Sequence, residues 1–568
     1  MEIVTPPERF YQRFQDGEVL DPSWPRLTDE ESREKFPARR NGLKVLFINA
    51  PIREWSYPNI MPIGHGYVAS VAIMDGHSVS AVDLNAARRR PMKLSPEKLA
   101  RWIEQQITTA LAGQTPDVIG LGGIITQYNN IRRIAGLCRK LCPKAFLVLG
   151  GGVGSSLPSF MVKRMGVDAV VQEEGEVTFS ELLHRIEVGA SLEGLKGIAY
   201  RYEIRSGEWG VRDNGLRPSV KNRALGLDAL PWPYRQPWPL DEVYKVNPVG
   251  HLNWKTKWIN GAPVDQGKYS ESMIASRGCP YAATACDYCY AAYLSKQYRL
   301  RSPRDVVDEM VFLKQRYSLA YIHFLDDLML TDYRWALEFC EQLRERKRQT
   351  GFEVTWGGAC RTNIVADDVI RAGKEGRPHM LEQAYEVGMR QAGYGVESAS
   401  PTILKSIDKS DQTVEKMEIA IKETQRIMGY ADCSFMIGSP GESPATVRET
   451  VDFCKKVGLK PEVFFFTTAY PATTFWDLAM KKGLITKAVT GQAGPADEEM
   501  VERYLVRLGE QGEEVRTNFS DMPDEEVIEL SWQAIKELGA QNTVRHPHTG
   551  EVQKMRKPSV RGATQADL

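Results

Sequence analysis

The sequence carries no net charge: 73 lysines and arginines are balanced by 73 aspartates and glutamates. A chain without a basic surplus has no whole-molecule field for gathering nucleic acid, so no nucleic-acid partner is expected. No stretch stays apolar for the roughly 20 residues that a bilayer crossing needs, and the first residues lack the layout of a cleavable signal. The expected setting is therefore the cytoplasm, with no membrane partner. Nine cysteines without a secretory signal imply a reducing compartment, which also suits an oxygen-sensitive metal centre. Two motifs are missing as well. No G-x-G-x-x-G follows the first strand-like run, which weakens a nicotinamide-site reading. No C-x-x-C occurs besides Cys286–Cys289, so a four-cysteine zinc site has no second pair.

What is present centres on Ser276-Arg-Gly-Cys-Pro-Tyr-Ala-Ala-Thr-Ala-Cys-Asp-Tyr-Cys-Tyr290. Cys279, Cys286 and Cys289 fall within eleven residues, and thiolates this close are soft ligands for one metal centre. An iron–sulfur cluster held by three cysteines keeps one iron open for a substrate or cofactor. The alternatives are a zinc site completed by Cys340 or Cys360, which lie on quite different elements, and plain buried cysteines beside a turn.

A length of 568 residues suggests about three or four domains, and 42% hydrophobic with 26% charged residues describes an ordinary globular protein. Residues 1–42 are Pro-rich and charged, an expected extended arm. Residues 43–190 alternate apolar runs with helical stretches, which predicts a doubly wound, Rossmann-like parallel sheet. Its strands are expected at 43–49, 78–83, 116–122, 145–150 and 169–171, with a helix over 64–74. Ligands of such sheets sit at the carboxyl ends of the strands. Glycines there, among them Gly64, Gly122, Gly123, Gly151, Gly152 and Gly175, let a large ligand approach the backbone. Residues 191–270 read as a hairpin around Ser206-Gly207 and a Pro/Trp-rich linker at 230–239 between two domains. Residues 271–480 give six further β/α units, a partial (β/α)6 barrel of the TIM type. Its strands are expected just before Cys279 and at 321–325, 352–356, 392–396, 433–437 and 463–468, with the site at their C-terminal ends. Residues 481–568 are helical and charged and are expected to cap the barrel mouth, with a flexible tail from about Arg545.

The stretch around Cys279 resembles the cluster loop of the radical S-adenosylmethionine (SAM) enzymes, in the form S-R-G-C-P … C-x-F/Y-C. That family usually has three residues between its first two cysteines; here there are six. The later turns, Asp326-Asp327, Arg361, Glu397-Ser398, Gly438-Ser-Pro-Gly-Glu442 and Tyr470-Pro471, resemble the family's turns in order. Residues 43–190 resemble the cobalamin-binding domain that precedes many radical SAM domains: P-x-G-x-x-x-x-A at Pro62–Ala69, G-H-x-V at Gly76–Val79, G-G after the fourth strand, G-E after the fifth.

The resemblance implies a [4Fe-4S] cluster on Cys279, Cys286 and Cys289, with SAM on its open iron. It implies catalytic or SAM-side roles for Tyr288, Glu397 and Arg361, and cofactor contacts from Ser398, Gly438, Pro440 and Gly441. On the cobalamin side it implies contacts from Gly64, Asp83, Gly122, Gly123, Gly151, Gly152, Glu174, Gly175 and Glu176. Asp75-Gly-His77 is close to the D-x-H-x-x-G that supplies a histidine to cobalt, but Ser80 stands at the glycine position and the motif leads into the second strand. His77 is therefore read as a turn residue, His65 as a surface or pocket residue, and the cobalt as lacking a protein histidine. The implied activity is cobalamin-dependent radical SAM methylation of an unactivated carbon, or phosphinate phosphorus, of a small biosynthetic substrate, with flavodoxin or ferredoxin as electron donor. A cobalamin-dependent cyclase or rearrangement enzyme is the alternative, and a non-catalytic cobalamin- or metal-binding regulator is a third reading.

Overall fold

The structure, a computed structural model, describes residues 9–15, 18–19, 28–52, 58–89, 92, 94–219, 226–246, 258–259, 262–263, 269–284, 286–291, 297–461, 463–508, 514–539, 543–545, 552–554 and 559–560. Most of the expected tail after Arg545 lies outside the described residues. The chain divides into two compact units, Met1–Asn247 with Leu505–Leu508, and Pro248–Tyr504 with Gly509–Leu568.

The first unit is built on β1 (Lys44–Asn49), β2 (Ser78–Asp83), β3 (Val118–Gly122), β4 (Phe146–Gly150) and β5 (Ala169–Val171). The apolar runs of β1 and β3 are buried on both faces, as helix-covered parallel strands require, while the edge strand β2 is only half-buried. The order across the sheet is β2-β1-β3-β4-β5, so the winding reverses between β1 and β3, where such sheets hold ligands. Register aligns the carboxyl ends in one row: Asn49 pairs with Asp83 and with Gly122, and Gly122 with Gly150.

Residues 198–213 do not act as a connector alone. β6 (Ile198–Arg205) and β7 (Glu208–Asp213) add antiparallel to the free edge of β5, because Ala169–Val171 would otherwise leave an open ladder. The Pro/Trp-rich segment likewise packs back on this unit. Ser70 Oγ donates to the Trp232 carbonyl at 2.6 Å, and the Tyr234 N–H to the Gly66 carbonyl at 3.0 Å. The N-terminal arm is docked too. Phe10 packs among Val71, Val177, Leu227, Ala229 and Leu230, while the Phe10 N–H donates to Asp75 Oδ1 at 2.7 Å and Arg9 pairs with Glu187 at 2.7 Å.

The second unit holds β8 (Tyr269–Met273), β9 (Leu319–Phe324), β10 (Thr355–Cys360), β11 (Met389–Glu397), β12 (Asp432–Ile437) and β13 (Phe464–Phe466). They pair in chain order and all parallel, a six-stranded partial barrel. Between them run helices such as Pro303–Tyr317, Tyr333–Thr350, Val414–Met428 and Pro444–Val457, begun by side-chain caps at Ser302, Asp332, Thr413 and Ser443. Phe324, Phe339 and Trp356 pack edge-on between sheet and helix, with Trp335 stacked on Phe339 at 5.1 Å.

One strand differs from the sequence expectation. β10 begins at Thr355 and runs on to Cys360, through the Gly357-Gly358 expected as a turn. A Cβ on Gly357 would lie 2.6 Å from Gln391 Cβ and 2.7 Å from the Tyr321 hydroxyl, so the glycines serve crowding inside the sheet rather than a bend. After the barrel, the Phe519 ring packs tilted against Phe475 at 4.7 Å, and its N–H donates to the Gly438 carbonyl at 2.9 Å. One residue of the C-terminal region, Phe519, thus touches the loop after β12.

Candidate active site: the cysteine loop and two rows of strand ends

β8 runs into Ser276-Arg277, which pairs antiparallel with Arg299-Leu300 and closes the base of the cysteine loop. Asp326, just past β9, fastens that base. Its carboxylate accepts from the Ala275 N–H at 3.0 Å and from Ser276 Oγ. Burial pushes its pKa up to about 7, against the pull of those donors. The loop then turns on Gly278, whose φ of +77° favours glycine. The Cys289 N–H donates to the Cys286 carbonyl at 2.9 Å. None of the three is in a disulfide; Cys279 and Cys286 are buried and Cys289 half-buried. Burial raises the Cys279 thiol pKa. Three thiols from one loop are the donor set of a cluster that leaves one iron open.

Tyr288, between two of these cysteines, reaches the end of β11. Its hydroxyl donates to Glu397 Oε1 at 2.9 Å, and Lys409 Nζ sits 3.0 Å from the same oxygen and 3.1 Å from the Tyr288 hydroxyl. A bulge between Gly395 and Glu397 re-aims this carboxylate, and Glu397 takes a left-handed φ of +65°. Lys409 is anchored further by the Gly395 carbonyl at 2.8 Å. Burial, then the Glu397 carboxylate, raises the Tyr288 phenol pKa well above its ordinary value.

Arg361 is already engaged. It lies 3.9 Å from the Tyr281 ring centroid, pairs with Asp411 at 2.6 Å, donates to Asn363 at 3.1 Å, and comes within 4.0 Å of Cys286 Sγ. These contacts brace the cysteine loop. Ser398 is also occupied, its hydroxyl 3.2 Å from Thr450 Oγ1 and accepting from the Ser400 N–H at 3.1 Å. In the loop after β12, Gly438 and Gly441 have φ of +89° and +77°, with Pro440 between them. Glu442 folds back to accept from the Gly438 and Ser439 N–H groups at 2.6 and 3.0 Å.

In the first unit the row Asn49, Asp83, Gly122, Gly150 edges the candidate crevice. Asp83 is engaged within the unit. It caps Ala86 at 2.9 Å, accepts from Tyr244 at 2.7 Å and from Asn49 at 2.9 Å. Gly151, at φ +72°, brings its backbone so close that a Cβ would lie 2.8 Å from the Gly123 carbonyl, and one on Gly123 would meet Gln127 at 2.3 Å. Gly152 continues this short helix, Gly151–Ser156. Glu174 and Gly175 lead into the helix Glu176–Val188, whose first residue is buried. Around Gly64 a Cβ would meet nothing within 4 Å. His77 is a buried turn residue that accepts from the Leu43 N–H at 3.0 Å. His65 is not on the surface: it is 9% exposed, and burial lowers its pKa to about 4. Glycines at the strand ends and an orphaned buried nitrogen on His65 suit a large, nitrogen-rich group.

Sequence reading missed Lys409, Asp411, Asn363 and Tyr244. The only available signal was indirect: a buried carboxylate such as Glu397 needs a partner.

Comparison with known proteins agrees with both halves. The B12 binding domain model matches residues 55–183 and the Radical SAM superfamily model residues 273–454. An uncharacterised methyltransferase of Pyrococcus horikoshii is 27% identical over 75% of this chain and 79% of its own. The cytidylyl-2-hydroxyethylphosphonate methyltransferase of Streptomyces wedmorensis is 23% identical over 81% and 86%. The solved radical SAM methyltransferase TsrM of Kitasatospora setae, with cobalamin and a [4Fe-4S] cluster bound, superposes with a TM-score of 0.59 over 87% of this chain and 91% of its own at 19% identity, a likeness of fold. The chain is a B12-binding radical SAM protein, its B12-binding domain preceding its radical SAM domain.

Proposed function

We propose that the protein is a cobalamin-dependent radical SAM methyltransferase acting on an unactivated carbon, or a phosphinate phosphorus, of a small biosynthetic intermediate. The observation that carries this reading is the cysteine loop closing on Glu397 and Lys409 through Tyr288. When bound, the cluster, SAM and cobalamin supply reductive SAM cleavage and a transferable methyl group. The protein's part is to hold and orient. Cys279, Cys286 and Cys289 are the thiolates available for three irons. Glu397 and Lys409 offer one carboxylate and one ammonium, complementary to the amino and carboxylate ends of an amino-acid cofactor. Gly438 and Gly441 would let the backbone of this loop approach the rest of the cofactor, and Asp326 and Arg361 keep the cysteine loop in place.

The two methyltransferases matched over most of this chain support methyl transfer, while anaerobic magnesium-protoporphyrin IX monomethyl ester cyclases among the relatives keep the cyclase as the second reading; an external flavodoxin or ferredoxin fits the need for a low-potential electron. The test is anaerobic incubation of iron- and sulfide-reconstituted protein with SAM and a strong reductant. Formation of 5′-deoxyadenosine is expected; its absence with a full cluster would leave the regulator reading standing.

A further inference from the structure

Arg361 brings a positive charge to the cysteine loop. It follows β10 directly and is buried, and its Nη1 comes within 4.0 Å of Cys286 Sγ. An arginine keeps its proton in a protein, so this charge is permanent. Further contacts fix where it stands. The guanidinium lies 3.9 Å from the ring centroid of Tyr281, one of the six residues between Cys279 and Cys286. Its Nε donates to Asn363 Oδ1 at 3.1 Å, and Asn363 Nδ2 donates in turn to the Tyr281 hydroxyl at 3.0 Å. Its Nη2 donates to Asp411 Oδ1 at 2.6 Å, and Asn363 donates to the other oxygen of that carboxylate at 2.8 Å. The Asp411 side chain is 41% exposed against 7% for Arg361. One terminal nitrogen of the guanidinium thus faces a buried thiol of the loop, and the other faces a carboxylate on the more exposed side. Stacking on Tyr281 and the bond to Asn363 brace the loop; what the Nη1 contact adds is charge beside a sulfur.

We propose that Arg361 and Asp411 together set the reduction potential of the cluster carried on the cysteine loop, the arginine raising it and the aspartate holding it down. This rests on the reading of Cys279, Cys286 and Cys289 as cluster ligands. Reduction takes one electron from an external low-potential donor and gives it to the cluster; no bond forms or breaks and no proton moves. The reduced form carries one more negative charge. A guanidinium beside a ligand sulfur therefore stabilises it over the oxidised form, and burial leaves that attraction poorly screened. Asp411 offsets part of the same charge from the other side of the guanidinium. The arginine eases entry of the electron, and the aspartate keeps the reduced cluster strongly reducing, as cleavage of SAM requires.

The test is a redox titration of the full-length protein after anaerobic reconstitution with iron and sulfide. Reduced clusters are counted by electron paramagnetic resonance, and iron content is measured on each variant. Arg361→Gln should lower the midpoint until about tenfold fewer clusters are reduced at a fixed potential, which is about 59 mV for a one-electron couple. Asp411→Asn should raise the midpoint, by less, because solvent screens the more exposed aspartate. Arg361→Lys, which keeps the charge and loses the fork, should recover most of the wild-type value. The opposite signs separate charge from bracing, since a loosened loop that admits water would raise both potentials. Shifts of the same sign in Arg361→Gln and Asp411→Asn, or no shift in either, would overturn the proposal. If Arg361→Gln does not hold iron, Asp411→Asn decides alone: a raised potential supports the pair's role, and an unchanged or lowered one overturns it. Wild-type protein without a [4Fe-4S] signal after reconstitution would instead reject the cluster reading itself.

Discussion

At Glu397 a left-handed backbone, a buried carboxylate and two donors meet in one residue. A left-handed φ costs a non-glycine residue on the order of 1–2 kcal/mol, and a strand bulge beside it interrupts the ladder, so the position is held by its surroundings. Lys409 is the strongest of these, and a charge-assisted contact of this kind contributes about 1.5–3 kcal/mol. Lys409→Met should therefore leave cluster content intact and weaken SAM binding by about 10- to 100-fold, read by equilibrium dialysis of the reconstituted protein. Unchanged SAM affinity would remove Lys409 from the site. Cys286→Ala should give a folded protein that does not retain an intact [4Fe-4S] cluster after anaerobic reconstitution, in spite of the long first gap. Normal iron content and SAM cleavage in that variant would exclude Cys286 as a ligand. The cysteines were legible because their chemistry lies in local spacing. Lys409 was not: it meets Glu397 only after the chain has passed through the helix Pro401–Ser406, and no periodicity records that return.

The loop Gly438–Glu442 shows how an element is held by one acid. Burial raises Glu442 from 4.5 to about 7 although two backbone N–H groups pull it down. The folded protein keeps this proton at pH values where the unfolded chain has lost it. The stability contributed is full below about pH 4.5 and is lost as pH rises to about 7. Glu442→Gln keeps an oxygen for both N–H groups and removes the titration. The variant should gain stability relative to wild type between about pH 5 and about pH 8, seen as a widening difference in thermal midpoint; a constant difference would contradict the account. Element types were read well wherever apolar runs were continuous, as in β1, β3 and β4. The start of β10 was not, since Phe352 and Glu353 look like strand residues but Glu353 lies exposed beside Lys347 at 2.7 Å. Nor did the alternation at 198–213 reveal its place in the sheet, because the vacant edge of β5 is a property of the fold, not of the hairpin.

On the scale of the whole molecule, the two units carry two separate rows of strand ends, each suited to a different cofactor chemistry. The domain order was legible from motif order; the docking of residues 9–15 was not, because a Pro-rich, charged segment gives no sign that Phe10 fills a core position. Both halves in one chain make the central claim quantitative: two SAM molecules should be consumed per turnover, one as methyl donor and one by reductive cleavage. The direct measurement is an anaerobic reaction with deuterated-methyl SAM and candidate substrates, quantified by chromatography and mass spectrometry. The account predicts S-adenosylhomocysteine, 5′-deoxyadenosine and deuteromethylated product in equal amounts. Deuteromethylated product with S-adenosylhomocysteine but no 5′-deoxyadenosine would contradict it.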